Sequence, residues 1–161
     1  MIPTKKPSVK ITYLTEKGLD KLQTELGYLI NIKRGEIAQR LREACDNEEP
    51  SENGEYILAK NEQAWVEGRI CELKHLLANV EIIKPGSAKG EVALGSTVTI
   101  QEHGLPSETF TIVGTVEANT REAYISDESP IGRALLGHRV GEDVEIKAPG
   151  GNYKVRIISA T

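Results

Sequence analysis

Asp46-Asn47-Glu48-Glu49-Pro50-Ser51-Glu52-Asn53-Gly54-Glu55-Tyr56 is the stretch whose reading decides the fold. It holds five carboxylates and neither lysine nor arginine. Pro50 disfavours helical geometry at Glu49, so a helix arriving from the N-terminal side ends by there. Ser51 is a good N-cap, and Glu52 and Glu55 suit the first turn of a second helix, where the macrodipole favours negative charge. The stretch reads as an acidic turn between two helices.

Working outward, the upstream apolar face is Leu19, Leu22, Leu26, Ile30, Lys33, Ile37, Leu41 and Ala44. Its spacings of three and four fall close to an 11-residue repeat, which suits a nearly straight helix. Lys33 fits the seam because its stem can lie on apolar surface while its charge stays in water. Residues 16–47 would form one helix about 48 Å long at 1.5 Å per residue. Thr15 is its expected N-cap, with Leu14 and Leu19 as a hydrophobic staple; no capping box forms because N3 is Gly18. The downstream face is Tyr56, Ala59, Gln63, Val66, Ile70, Leu73, Leu77 and Val80. Folded antiparallel about residues 49–51, the faces pair as Ala44 with Tyr56, Leu41 with Ala59, Ile37 with Gln63, and Ile30 with Ile70. Leu26 then meets Leu73, Leu22 meets Leu77 and Leu19 meets Val80, the residue numbers in each pair adding to 99 or 100. Two faces read independently agree on one register, which predicts an antiparallel coiled-coil hairpin. Trp65, Val66 and Ile70 are expected in or near its core.

Ile82 to Gly90 breaks the periodicity with Pro, Gly, Ser and Lys, so the boundary is set at 83/84: a hairpin over 1–83 and a second domain over 84–161. Alternating segments at Ser96–Ile100, Thr109–Val113, Ala123–Ser126, Asp143–Lys147 and Tyr153–Ile157 predict strands. Pro149-Gly150-Gly151 joins the last two. Ser129 and Pro130 start a short helix that Gly137 stops. The fold class is α + α+β, a long N-terminal helical hairpin followed by a small antiparallel-sheet domain.

Composition narrows the functions. A single Trp and a single Phe in 161 residues leave few large anchors for one wide core. The net charge of -4 does not announce a nucleic-acid binder, but Lys33, Arg34, Arg40 and Arg42 stand directly before the acidic turn, a polarity that can steer docking. Two readings of these four remain open, a solvated face or a patch facing a partner protein or RNA. Cys45 and Cys71 form no metal motif, and on opposite arms they would lie about 20 Å apart, too far for a disulfide. Two reduced thiols point to the cytoplasm. No signal peptide and no membrane-length apolar run is read in the chain.

Tyr13-Leu14-Thr15-Glu16-Lys17-Gly18-Leu19, Ser51-Glu52-Asn53-Gly54-Glu55-Tyr56, Val66-Glu67-Gly68-Arg69-Ile70 and Ser129-Pro130-Ile131-Gly132-Arg133-Ala134-Leu135-Leu136-Gly137 together resemble, in order, motifs of the Gre transcript-cleavage factors of bacterial RNA polymerase, GreA type. The resemblance implies an FKBP-like fold for the second domain. It also implies a monomer that binds RNA polymerase core, enters the secondary channel with its hairpin tip and meets the nascent RNA 3′ end. Such a factor is not itself an enzyme and binds no cofactor stably. It lends acidic residues to the polymerase's own Mg²⁺ site and so stimulates cleavage of backtracked RNA. Carried over by position, the catalytic and metal-directed residues are Glu49 and Glu52, and Lys33, Arg34, Arg40 and Arg42 are candidate polymerase or RNA contacts. Glu49 stands where the family has aspartate, and Pro50 where it has leucine. This altered tip leaves a second reading, a channel binder that inhibits polymerase. Peptidyl-prolyl isomerase activity would need an aromatic-lined pocket, for which residues 84–161 supply only Phe110, Tyr124 and Tyr153; a purely structural adaptor is the remaining alternative.

Overall fold

The computed structural model describes residues 10–47, 54–84 and 90–161. In chain order the elements are β1 (Thr12–Leu14), α1 (Glu16–Tyr28), a π-helical turn (Leu29–Lys33), α2 (Arg34–Asn47), α3 (Gly54–Ala78), β2 (Val80–Ile82), β3 (Thr97–Glu102), β4 (Ser107–Val113), β5 (Tyr124–Ser126), α4 (Pro130–Leu135), β6 (Asp143–Ala148) and β7 (Gly151–Ala160). They form two compact units. One is Leu19–Asn79, and the other joins the stretch ending at Gly18 to Val80–Thr161.

Within Leu19–Asn79, the first arm buries Leu22, Leu29, Ile37 and Ala44, and α3 buries Ala59, Val66, Ile70 and Leu73. The arm is not the uninterrupted α-helix the spacing predicts. Its buried residues lie seven, eight and seven apart, whereas Ala59, Val66 and Leu73 on α3 keep strict sevens. The interval from Leu29 to Ile37 therefore holds one residue too many for a common seam. The π turn falls at that interval, with the Arg34 N–H bonded to the Leu29 carbonyl. An i→i+5 bond absorbs the extra residue and returns Ile37 to the seam. In consequence Leu29 is buried and Ile30 only half-buried. Trp65 is not a core residue but 63% exposed, since it precedes Val66 and points off the seam. Val80 does not extend α3 either. It begins β2.

In the other unit β2 pairs in parallel with β1, Thr12 opposite Val80 and Leu14 opposite Ile82. This strand pair was not expected, because three residues are too few to show an alternating pattern. The larger sheet has strand order β5-β4-β3-β7-β6. All its pairings are antiparallel except β4 with β5, which run parallel. The sheet is thus mixed, not purely antiparallel as expected. Between β4 and β5 lie two 3-10 turns, Thr115–Glu117 and Thr120–Glu122, instead of a tight hairpin, and they carry the chain back to the same end. Val98, Ile112, Ile146 and Ile157 form the centre of the core, closed by Leu135 of α4. The Ser129 hydroxyl caps α4 by accepting from the Gly132 N–H at 3.0 Å and donating to the Ser126 carbonyl at 2.6 Å. Gly132 has no substitute here, because a Cβ would stand 2.1 Å from that carbonyl oxygen. Gly137 follows the helix at φ +80°, where a helix C-terminus favours glycine.

The start of α1 solves its missing capping box at long range. Thr15 Oγ1 accepts from the Gly18 N–H at 3.0 Å, the expected N-cap bond. The Thr15 N–H, which an N3 glutamate would ordinarily bind, donates instead to Glu117 Oε2 at 2.6 Å, and the Thr15 hydroxyl donates to Glu117 Oε1 at 2.6 Å. Gly18 makes room, since a Cβ there would come 2.1 Å from Glu117 Oε1.

Glu117→Ala should lower the unfolding free energy by about 1–2 kcal/mol, the worth of a helix cap. Gly18→Ala should show opposite signs in two backgrounds. With Glu117 present it displaces the carboxylate and forfeits the cap; in Glu117→Ala it should stabilise by up to about 1 kcal/mol through helix propensity. A denaturant-melt double-mutant cycle checks this. Additivity within about 0.3 kcal/mol would refute the coupling.

Candidate functional site

Glu49 and Glu52 lie outside the described residues, in the segment between the end of α2 at Asn47 and the start of α3 at Gly54. The structure supplies the frame around them. The last turn of α2 has no basic residue, and exposed Asp46 stands there, at the helix end where the macrodipole disfavours an acid. Glu55 lies in the first turn of α3, where it is favoured. Helix stability therefore accounts for acids on the α3 side of the turn and not on the α2 side. Tyr56 is half-buried in the first turn of α3, with Lys60 Nζ 6.0 Å from its ring centre. Among the described residues no group of three or more His, Cys, Asp or Glu is placed to hold a metal ion. No helix among them is long and apolar enough to cross a membrane. Cys45 and Cys71 are free and exposed.

The four basic candidates sort into two kinds. Lys33 Nζ lies 2.8 Å from Glu62 of α3 and 3.4 Å from Glu36. Arg34 grips Glu67 with two bonds of 2.6 and 2.5 Å. Arg40 pairs with Glu62 from the other side, leaving its Nε buried without a partner. These three cations tie the arms together. Arg42 is exposed and has no ion-pair partner among the described residues, so it alone of the four is a free charge beside the acidic turn.

Glu25 and Glu62 were not singled out by sequence reasoning, and Glu67 and Arg69 entered it only as part of a family motif, with no pairing assigned. Arg69 Nε lies 2.7 Å from Glu25 and Nη1 2.9 Å from Glu72. The signal for such pairs was present as opposite charges at positions flanking the seam, the sites that set partner choice and orientation in coiled coils. The electrostatics agree with the geometry. Lys33 first, then Arg40, hold the Glu62 carboxyl below its ordinary value. Arg34 does the same to Glu67. Glu25, then Glu72, hold the Arg69 guanidinium firmly in its charged form.

Known proteins place this frame in context. Residues 12–82 match the family model for the N-terminal part of transcription elongation factors of the GreA/GreB type, and residues 87–161 match the model for their C-terminal part. The protein from Chloroflexus aggregans described as transcription elongation factor GreA is 49% identical over 151 residues, covering 92% of this chain and 96% of its own. The Bacillus cereus protein of the same description is 45% identical over 157 residues, covering 94% and 98%. Among solved structures, the GreA factor homolog 1 (Gfh1) protein of Thermus thermophilus is 30% identical with a TM-score of 0.43, covering 94% of this chain and 99% of that one.

Carboxyl-carbon NMR should find Glu62 and Glu67 titrating below the ordinary 4.5. In Lys33→Ala/Arg40→Ala, Glu62 should move up toward 4.5. A depressed carboxyl stabilises the fold above its unfolded value and ceases to do so as pH falls through its folded value. The arms should therefore lose this support below about pH 4.5, and salt should shrink it at neutral pH, because the pairs are partly exposed. A Glu62 midpoint unmoved by the double substitution would refute the pairing.

Proposed function

The chain belongs to the GreA/GreB family of transcription elongation factors and has a GreA-like elongation role, and from that premise we propose how it acts. In the cytoplasm it binds RNA polymerase, carries its hairpin tip into the secondary channel, and presents Glu49 and Glu52 to the polymerase active site when RNA has backtracked. The observation that carries this reading is the acidic stretch of sequence joining α2 to α3. It contains more carboxylate than the helix ends can use, and the described arms on either side of it are clamped together by their own ion pairs.

The polymerase supplies the Mg²⁺, which takes carboxylate, water and phosphate oxygens and stabilises the attacking and leaving oxygens of a displacement. In this proposal Glu49 and Glu52 are the residues of this chain that would help hold it and orient the attacking water. One carboxylate takes the proton that the water gives up. The chain contributes the delivery: two arms held in a fixed register, with Arg42 as the free cation nearest the tip. Lys33, Arg34 and Arg40 serve the hairpin rather than the polymerase. Their charges are already met by Glu36, Glu62 and Glu67.

The experiment is release of short 3′ fragments from backtracked complexes with labelled RNA. The protein should stimulate release, and Glu49→Ala/Glu52→Ala should reduce the stimulated rate about a hundredfold, the low end of positioned acid–base contributions. Arg42→Ala should weaken competition for polymerase while leaving thermal unfolding unchanged. Equal rates for wild type and the tip variant would overturn the carboxylate assignment. Falling promoter-dependent transcription without cleavage products would replace the proposal with the inhibitory reading.

A further inference from the structure

The π turn of the first arm has two places to sit. Leu22, Leu29, Ile37 and Ala44 form the buried row, with the extra residue taken up between Leu29 and Ile37. Ile30 lies seven residues before Ile37, just as Leu29 lies seven after Leu22. A second row, Leu22, Ile30, Ile37 and Ala44, therefore meets the same heptads of α3, with the extra residue taken up between Leu22 and Ile30 instead. Leu26 stands at the middle of that interval, four residues from each end, as Lys33 stands between Leu29 and Ile37. The chain thus offers two consecutive apolar residues, one buried and one half-buried, for a single place in the seam.

Exchange between the two rows asks little of the surrounding structure. The Arg34 N–H gives up the Leu29 carbonyl, its π partner, for the Ile30 carbonyl, the ordinary i−4 acceptor of an α-helix. α2 keeps its geometry from Arg34 onward, so Ile37 and Ala44 hold their places, and so do the bonds from Arg34 to Glu67 and from Arg40 to Glu62. Gly27 and Gly35 bracket the stretch that turns. Packing demands neither of them: a Cβ at Gly27 would meet only Asn31 Nδ2, at 4.0 Å, and one at Gly35 would meet nothing within 4 Å. Each makes regular helix about fivefold less favourable than alanine would, which lowers the penalty for an irregular turn beside it.

We propose that the π turn is a two-position conformational device, which moves between the Leu29–Ile37 and Leu22–Ile30 intervals and exchanges Leu29 for Ile30 in the seam. Residues 27–32 turn by one residue step, about 100°, while the arm on either side keeps its register. The turn carries Tyr28 and Ile32, 47% and 50% exposed as they stand, onto the outer face of the arm. Their added exposure keeps the second arrangement the minor one, at up to about a tenth of the molecules. The device belongs to the hairpin alone and does not depend on the tip carboxylates.

NMR relaxation dispersion on the isotope-labelled full chain reads exchange on the microsecond-to-millisecond scale of helix register shifts. Dispersion is expected at the amides of residues 27–33, with flat profiles at residues 37–44. Gly27→Ala stiffens the interval into which the turn must move, so it should quench the dispersion while raising the melting temperature. Denaturant melts followed by helical circular dichroism give a second readout. Truncating a buried leucine in a fixed seam lowers the folding equilibrium constant about thirtyfold or more. Leu29→Ala should lower it less than about tenfold, because Ile30 takes the vacated place. Leu29→Ala/Ile30→Ala should then lower it severalfold more than the product of the two single losses. Deleting Asn31 restores strict sevens and leaves Leu29 without a substitute, so in that background Leu29→Ala should lose about thirtyfold or more. Flat dispersion across residues 27–33, a thirtyfold loss for Leu29→Ala in the undeleted chain, or single losses that simply multiply would each overturn the proposal.

Discussion

Two arms of an antiparallel hairpin must keep their apolar residues on one seam, and the rest of the helical unit follows from how this chain meets that demand. α3 repeats every seven residues, but the first arm carries eight between Leu29 and Ile37. A regular α-helix would rotate everything beyond Leu29 off the seam by about 100°. Ile37 and Ala44 would leave the core, and the cations that bridge to α3 would turn away from Glu62 and Glu67. The π turn at Leu29–Lys33 prevents this at the cost of one weaker turn. Lys33 and Arg34, at its end and just after it, are the residues that bond across to α3. The π turn is thereby braced across the hairpin.

Much of this was legible in the sequence, and the parts that were not share a cause. The two-arm register was readable because it rests on many residues at once, and the observed cross-arm pairs Glu25–Arg69 and Arg34–Glu67 flank the predicted line. The strands from Thr97 onward were readable by alternation. The π turn was not, although its trace was visible as the spacing irregularity around Ile30 and Lys33. An 11-residue repeat and a heptad with one inserted residue give nearly the same apolar list, and only the partner's strict heptad distinguishes them. Trp65 was misplaced because size and hydrophobicity argue for burial, while its position beside Val66 argues against it. Position decided. The β1–β2 pair and the Glu117 cap join residues far apart in the chain, and no local pattern records such a meeting.

The basic residues before the turn show why charge patterning alone could not settle their role. Four cations in ten residues suggest a surface for an anionic partner, yet three are neutralised, by Glu36 beside Lys33 and by Glu62 and Glu67, which lie far along the chain and adjacent in the fold. Exposed pairs of this kind add little stability singly. Their stronger effect is on register, since a one-layer slip of α3 would leave Lys33, Arg34 and Arg40 without Glu62 and Glu67. The acids at Asp46 and in the turn gain no such partner from α2's last turn, which has no basic residue.

The motifs that identify the family divide along the same line. Thr15 and Gly18 are explained by capping and by the space Glu117 needs; Ser129 and Gly132 are explained by the cap of α4 and the close approach of the Ser126 carbonyl. Arg69 is explained by Glu25 and Glu72. Each is a requirement of folding, and each would persist in a relative that had lost its activity. Glu49 and Glu52 lie outside the described residues, and of the two only Glu52 stands on the side of the turn where a helix N-terminus favours an acid. The caps, the close glycine approaches and the cross-arm ion pairs thus account for Thr15, Gly18, Arg69, Ser129 and Gly132 by folding alone, without reference to the segment between α2 and α3.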